Sequence, residues 1–327
     1  MYIKLLKESI DDIKTMSYTP FYIYISLSNI CNANCIFCNV HAEKRKLGIL
    51  DVPSIINELN QMGTKYIHFM GGGEPLTEPR IFDYFQQISD LGMKIALTTN
   101  GLGFTKESIQ KLPQYRINHL FLSLDSHMPE LHDAFRHVQG LWEKAVSNIA
   151  ALKAVLPDTK IVINHVLNRK NIADFEGMIQ LKDRLPYDYI NPIFIKDCPE
   201  LSIEPNQMEC FFEKASDFFA LMQEKGIDFL YPLFDPGLDH KENYSCSFPQ
   251  YSAYIDCPTG GVYPCDCTIH RDPDFYCCGN LCSATFPDIW SGFKMEQIRD
   301  VLFHSCTECK FNCDYVNCYF NQNIIKA

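Results

Sequence analysis

Six short apolar runs recur along the first two hundred residues: FYIYISLS (21–28), KYIHFM (65–70), KIALTTN (94–100), INHLFLSLD (117–125), KIVINHVLN (160–168) and DYINPIFIKD (188–197). Each is apolar almost throughout rather than at alternate positions. A strand with that pattern is covered on both faces, which is the condition of a parallel sheet. Parallel neighbours need long crossovers, and the intervening segments have helical period. In DVPSIINELNQMG, Asp51 stands at a capping position, Pro53 suits a first turn, and Ile56, Leu59 and Met62 share a face. Trp142, Val146, Ile149 and Leu152 repeat the pattern. The chain is therefore expected to be α/β, either a doubly wound layer or an incomplete (β/α) barrel. In both, ligands gather at the carboxyl ends of the strands.

The polar and glycine-containing stretches fall at those ends. The first strand runs into CNANCIFC, the second into GGGEP, the third into TTNG and the fourth into SLDS, while the fifth carries NHVLN. The last strand runs out near Cys198. A helical stretch, EPNQMECFFEKASDFFALMQEKG, follows, and YPLFDPGLDHKENYS reads as a boundary. The expected division is an N-terminal extension over 1–20, a barrel over 21–235 and a cysteine-rich unit over 236–327.

With 327 residues and a 46% hydrophobic fraction, the chain can bury a large core. Its formal net charge is -11 and its basic residues are scattered, so a nucleic-acid partner is not expected. The first residues, MYIKLLKESIDDIK, lack the apolar stretch of a signal peptide, and no run approaches a membrane span. A cytoplasmic protein without membrane attachment is the expectation. Its sixteen cysteines then belong to metal or redox chemistry rather than to a disulfide framework.

Cys31, Cys35 and Cys38 crowd into one loop. Thiolates favour zinc, Cu(I) and iron–sulfur clusters. A closed structural zinc site wants four ligands, and here His41 would have to complete it. Alternatively, three thiolates can take three irons of a [4Fe–4S] cube and leave the fourth iron open. The spacing C-x3-C-x2-C with Phe37 before the last cysteine resembles the signature of the radical S-adenosylmethionine (radical SAM) superfamily. The placement after the first strand of a βα series is similar too.

The resemblance implies a partial (β/α)6 TIM-like barrel in which Cys31, Cys35 and Cys38 hold a [4Fe–4S] cluster. S-adenosylmethionine (SAM) would chelate the open iron and be cleaved reductively to methionine and a 5′-deoxyadenosyl radical. An electron donor such as flavodoxin or ferredoxin is implied with it. GGGEP resembles the family's GGE motif, so Gly72, Gly73 and Glu74 are expected at the SAM ammonium. By the same resemblance, Ser123 and Asp125 face ribose hydroxyls, Arg136 the SAM carboxylate, and Asn164 and the backbone near Ile193 ribose and adenine. The plainer reading of GGGEP is a polar loop, and that of the other contacts a helix cap, surface charge or barrel-interior polar group.

The tail holds eleven cysteines between Cys246 and Cys318. Its order, a cysteine, then G-x4-C, then C-x2-C, resembles the SPASM/Twitch extensions that carry auxiliary iron–sulfur clusters. The resemblance implies one auxiliary [4Fe–4S] cluster on Cys246, Cys265, Cys306 and Cys309, with Cys313 able to replace one of the last two. Tyr315 stands where the two-cluster form expects a cysteine, which leaves a second cluster open, as the spacing leaves a zinc ribbon open. Cys198 is either a packed thiol or a hydrogen donor to a substrate radical, the role a cysteine has in radical SAM epimerases.

A compact chain with about twenty residues before its first strand suggests a small polar substrate of the sugar or aminocyclitol type, oxidised or epimerised. Maturation of a ribosomally made peptide is the alternative, and a zinc-stabilised binding protein is the alternative of another class.

Overall fold

The computed structural model describes residues 18–38, 40, 45–195, 198–229, 246–269 and 272–305. The expected strands are all present: β1 (Tyr22–Ser26), β2 (Tyr66–Phe69), β3 (Lys94–Thr99), β4 (Ile117–Ser123), β5 (Lys160–Leu167) and β6 (Tyr189–Phe194). Between them run α1 (Val52–Gln61), α2 (Ile81–Asp90), α3 (Lys106–Lys111), α4 (Pro129–Arg136), α5 (Leu141–Val155) and α6 (Phe175–Gln180). Pro53 does occupy the first turn of α1, whereas the Asp51 side chain makes no capping bond. The helical stretch after β6 is broken at Lys214 into α7 (Pro205–Glu213) and α8 (Ala215–Glu224), followed by β7 (Asp228–Phe229).

The described strands form one ten-stranded sheet in the order β10-β9-β8-β1-β2-β3-β4-β5-β6-β7, with β8 (Ser252–Asp256), β9 (Gly261–Tyr263) and β10 (Gly279–Asn280) at one end. All pairings from β8 through β7 are parallel, and β8/β9 and β9/β10 are antiparallel. The two outermost strands do not pair with each other, so the sheet stays an open, partial barrel. The residue 235/236 division lies outside the described residues. On either side of it, however, the chain contributes to the same sheet, because β8 pairs with β1 over five residues.

The register sorts the side chains into two faces. Ile23, Ile25, Ile67, Leu97, Leu120, Leu122, Ile161 and Ile190 are fully buried on the face that packs against the helices. Hydrophobic burial there supplies most of the driving force for the fold. The opposite face is aromatic and polar. Tyr22 Oη is bonded to His68 Nδ1 at 3.0 Å, and His68 Nε2 to Thr98 Oγ1 at 2.8 Å. The His68 ring also stacks on Phe121, with centroids 4.8 Å apart.

Burial pushes the His68 pKa down to about 3, so the folded chain holds this ring neutral while the unfolded chain protonates it near 6.5. A base with a depressed folded pKa contributes stability above its unfolded pKa and loses it as pH falls towards the folded one. The loss between pH 7 and pH 5 is about 2 kcal/mol for one such group. His68→Gln is expected to shrink the difference in unfolding free energy between those pH values by that amount in anaerobic urea titrations. An unchanged difference would mean that His68 is not the proton acceptor.

Candidate active site

The site is built where β1 and β2 end. Beyond Ser26 the chain enters the loop carrying Cys31, Cys35 and Cys38, and beyond Phe69 it enters Gly71–Glu74. The two loops lie against each other. Gly72 N donates to Ser26 Oγ at 3.2 Å and Glu74 N to Ile30 O at 2.8 Å. A Cβ on Gly72 would overlap Asn29 Oδ1. On Gly73 it would overlap Ile30 O and lie 2.6 Å from Ser28 O. At Gly73 two backbones touch, and at Gly72 the backbone packs against the Asn29 side chain, so neither position has room for a Cβ.

Glu74 is 4% exposed, and its carboxylate is fixed by three donors. Thr99 Oγ1 (2.6 Å) and Leu76 N (3.1 Å) donate to Oε1, and Asn100 N donates to Oε2 at 2.8 Å. Burial raises its pKa, and the bonds from Asn100, Thr99 and Leu76 work against that rise. The end of β3 thus aims the acid supplied by the β2 loop. Oε2, with a single donor among the described residues, keeps acceptor capacity for a cation.

The cysteine loop is held by its neighbours. Arg45 donates to Cys31 O (2.8 Å) and Ala33 O (2.6 Å), and Asn100 Nδ2 donates to Asn32 Oδ1 (2.8 Å). Backbone N–H groups of Ala33 and Val40 point at Cys31 Sγ and Cys38 Sγ, both at 3.4 Å. Burial raises the thiol pKa values of Cys31 and Cys35. A bond from Ala33 opposes this at Cys31, and Arg136 opposes it at Cys35.

Arg136, at the end of α4, reaches this loop. Its Nε donates to Asp125 Oδ2 at 2.6 Å, its Nη1 lies 3.7 Å from Cys35 Sγ, and its guanidinium carbon is 5.1 Å from the Phe37 ring centroid. Asp125 is fully buried, and its Oδ1 accepts from Val166 N at 2.9 Å. Burial alone would raise the Asp125 pKa, but the adjoining Arg136 and its bond bring it below the ordinary carboxylate value. With both oxygens engaged, Asp125 holds Arg136 rather than facing open space. Ser123 and Asn164 are neighbours in register on β4 and β5, and Asn164 Oδ1 accepts from Asn191 Nδ2 at 2.9 Å.

Cys198 is 8% exposed and packs with Phe135 and Leu201 beside Phe37, with its Sγ 3.7 Å from Glu200 Oε2. It therefore lies next to the site but among apolar groups. Thr99, Asn100, Arg45 and Asn191 were not singled out in the sequence. TTNG at a strand end was the visible signal for the first two, whereas Arg45 and Asn191 left none.

In the C-terminal part, Cys246 and Cys265 are both buried. Cys246 N donates to Leu302 O at 3.2 Å, which ties Cys246 to α12 (Phe293–Ser305, numbered after three short helices at Asp266–Ile269, Pro273–Tyr276 and Phe286–Trp290). Cys306 follows that helix directly in sequence, and Cys306, Cys309, Cys313 and His41 lie outside the described residues. Gly260, at φ +78° in the β8–β9 turn, could carry no side chain without coming within 2.9 Å of Cys282 Sγ.

The donor set of the first loop fits an iron–sulfur cube. It offers three unpaired thiols, and backbone N–H groups are already directed at two of the sulfurs. Among the described residues no three ligating side chains converge tightly enough for a single ion. A cube takes a wider spread, because each thiolate meets its own iron.

Two family models match the chain. Residues 25–181 match the radical SAM superfamily, and residues 246–314 match the SPASM iron-sulfur cluster-binding domain. Among curated proteins, the chain is 29% identical to an AdoMet-dependent heme synthase of Methanosarcina barkeri, covering 52% of this chain and 49% of that one. It is 25% identical to the PqqA peptide cyclase of Ruegeria pomeroyi, over 50% and 44%. It is 26% identical to the mycofactocin maturase MftC of Mycobacterium tuberculosis, over 86% and 73%. The chain thus spans about half the length of the first two. Among solved structures, Streptococcus suis SuiB bound to S-adenosylmethionine superposes with a TM-score of 0.70 at 16% identity, covering 90% of this chain and 72% of that one. The partial barrel is the fold the two share.

Proposed function

Since the chain belongs to the radical SAM superfamily and carries a C-terminal SPASM iron–sulfur domain, we propose that it is a peptide-modifying enzyme. The observation that carries this reading is the likeness to a maturase across 86% of the chain, through barrel and tail alike, joined by likeness to a peptide cyclase over half of it. It displaces the small sugar or aminocyclitol substrate as first choice. That preference rested on the compactness of the chain, which does not speak to substrate class.

In this reading Cys31, Cys35 and Cys38 are the cluster ligands. The bound cluster supplies the electron that cleaves SAM and so starts hydrogen abstraction. Glu74, aimed by Thr99 and Asn100, accepts the SAM ammonium through Oε2. Gly72 and Gly73 let that loop approach the cysteine loop, and their backbone shapes the same subsite. Ser123 and Asn164, on the polar face of β4 and β5, are placed for the ribose, and Arg136 adds positive charge near the SAM carboxylate. Phe37 stacks on Arg136. Cys198 fills an apolar corner beside Phe37. In the tail, Cys246 and Cys265, with Cys306, Cys309 and Cys313, hold auxiliary iron, over a domain running from residue 236.

The test is anaerobic turnover of the reconstituted chain with SAM and dithionite, given either synthetic precursor peptides encoded beside its gene or a panel of aminocyclitols and sugars. Substrate-dependent 5′-deoxyadenosine and a peptide mass change of two or more hydrogens are expected. Deoxyadenosine formation stimulated only by the small polyols would overturn the peptide reading.

A further inference from the structure

We propose that the Asp125–Arg136 pair sets the electron affinity of the cluster that Cys35 helps to hold, with His132 as the residue that positions the pair. The proposal rests on the reading of Cys31, Cys35 and Cys38 as cluster ligands.

The first observation is where the cation sits. Arg136 is 8% exposed, and its Nη1 lies 3.7 Å from the Cys35 sulfur. Its orientation is over-determined. Asp125 fixes Nε at 2.6 Å, the Phe37 ring lies 5.1 Å from the guanidinium carbon, and the backbone around Arg136 is tied to the same loop. The carbonyls of Phe135 and Arg136, left without partners by the end of α4, accept from Ile36 N at 2.9 Å and Asn34 N at 3.4 Å. The last turn of α4 is thus fastened to the cysteine loop by main chain and side chain together.

The second observation is the cost of the arrangement. Burying an ion pair gives up hydration that a neutral contact would not, so it is a poor way merely to hold a helix end. A guanidinium directed at a thiolate sulfur has another effect. It withdraws charge from the ligand and stabilises the cluster after it has accepted an electron. Arginine keeps its charge at every physiological pH, and its planar fork can serve the carboxylate and the sulfur at once.

The third observation is the device behind Asp125. His132 is fully buried, and its Nδ1 accepts the Asp125 backbone N–H at 3.1 Å and stands 4.0 Å from Asp125 Oδ2. That bond places the ring proton on Nε2. His132 has no exposed surface, and its hydrogen bond goes to Asp125 rather than to Cys35. It acts through Asp125, whose carboxylate is fixed on its other side by Val166 N.

The test is the midpoint potential of the SAM-site cluster in the reconstituted full chain, titrated without SAM and followed by electron paramagnetic resonance. The cluster is assigned by the change its signal shows when SAM is added. Arg136→Gln is expected to move the potential to more negative values, with Arg136→Lys intermediate. His132→Leu should shift it in the same sense by less, and His132→Asn, whose Oδ1 can accept the same N–H, should stay near the wild-type value. Arg136→Gln with full iron and an unmoved potential overturns the proposal. Should that variant lose its cluster, unmoved potentials in both Arg136→Lys and His132→Leu overturn it. If instead Cys35→Ala keeps the wild-type iron content, the underlying ligand assignment is what fails.

Discussion

Replacing Cys31, Cys35 or Cys38 singly by alanine is expected to lower the iron content of the reconstituted chain by about four atoms, the content of one cube, and to abolish 5′-deoxyadenosine formation. In the proposed reading each thiolate serves its own iron, and the described neighbourhood holds no spare thiol to replace it. Cys198, which also lies near Phe37, is turned to an apolar cluster with Phe135 and Leu201. The auxiliary iron should remain, because Cys246 and Cys265 are anchored to other elements, Cys246 through Leu302. Iron and sulfide analysis with chromatographic assay of the nucleoside product measures both effects. Retention of SAM cleavage in any of the three variants would remove that cysteine from the site, and concurrent loss of all iron would mean that the two iron centres do not assemble independently.

Gly73→Ala has the next largest expected effect. The added Cβ would overlap Ile30 O and approach Ser28 O to 2.6 Å, and both are backbone atoms of the loop entering the cysteine motif. No rotamer change relieves such a clash, so one of the two loops must move. Overpacking of this kind costs about 1–3 kcal/mol. Displacing the loop also draws Glu74 away from Thr99 and Asn100, so SAM affinity should fall by far more than stability does. Gly92→Ala supplies the contrast. Gly92 has φ +78° but open space around it. That variant should lose about 1 kcal/mol to backbone strain while cleaving SAM at the wild-type rate. Thermal unfolding and equilibrium SAM binding on the two variants separate the effects. Undiminished SAM binding by Gly73→Ala would show that the two loops need not touch.

Much of this architecture is legible along the chain because it depends on local pattern. The six strands lie where continuous apolar runs place them, and α1 carries its proline in the first turn. The candidate site gathers at strand ends because a parallel sheet aligns those ends, whatever the loops contain. The glycines of GGGEP are a different case. A glycine run invites a ligand-facing reading, yet at Gly72 and Gly73 the space a Cβ would need is filled by Asn29, Ser28 and Ile30 of the adjoining loop.

Apolar strands, helical crossovers and the three-thiol loop with Phe37 are fixed by neighbours within a few residues, so the sequence alone determined the barrel class and the superfamily, and it marked the loop proposed to hold the open cluster. The tertiary structure decided the partnerships. Asp125 turns to Arg136, Arg136 reaches back to Cys35 across 101 residues, Thr99 and Asn100 aim Glu74, and β8 pairs with β1 from the far end of the chain. Such contacts are chosen by which groups become buried together and must satisfy one another's charge and hydrogen bonds. That pairing exists only once the sheet has curved and brought the strand ends to a common face.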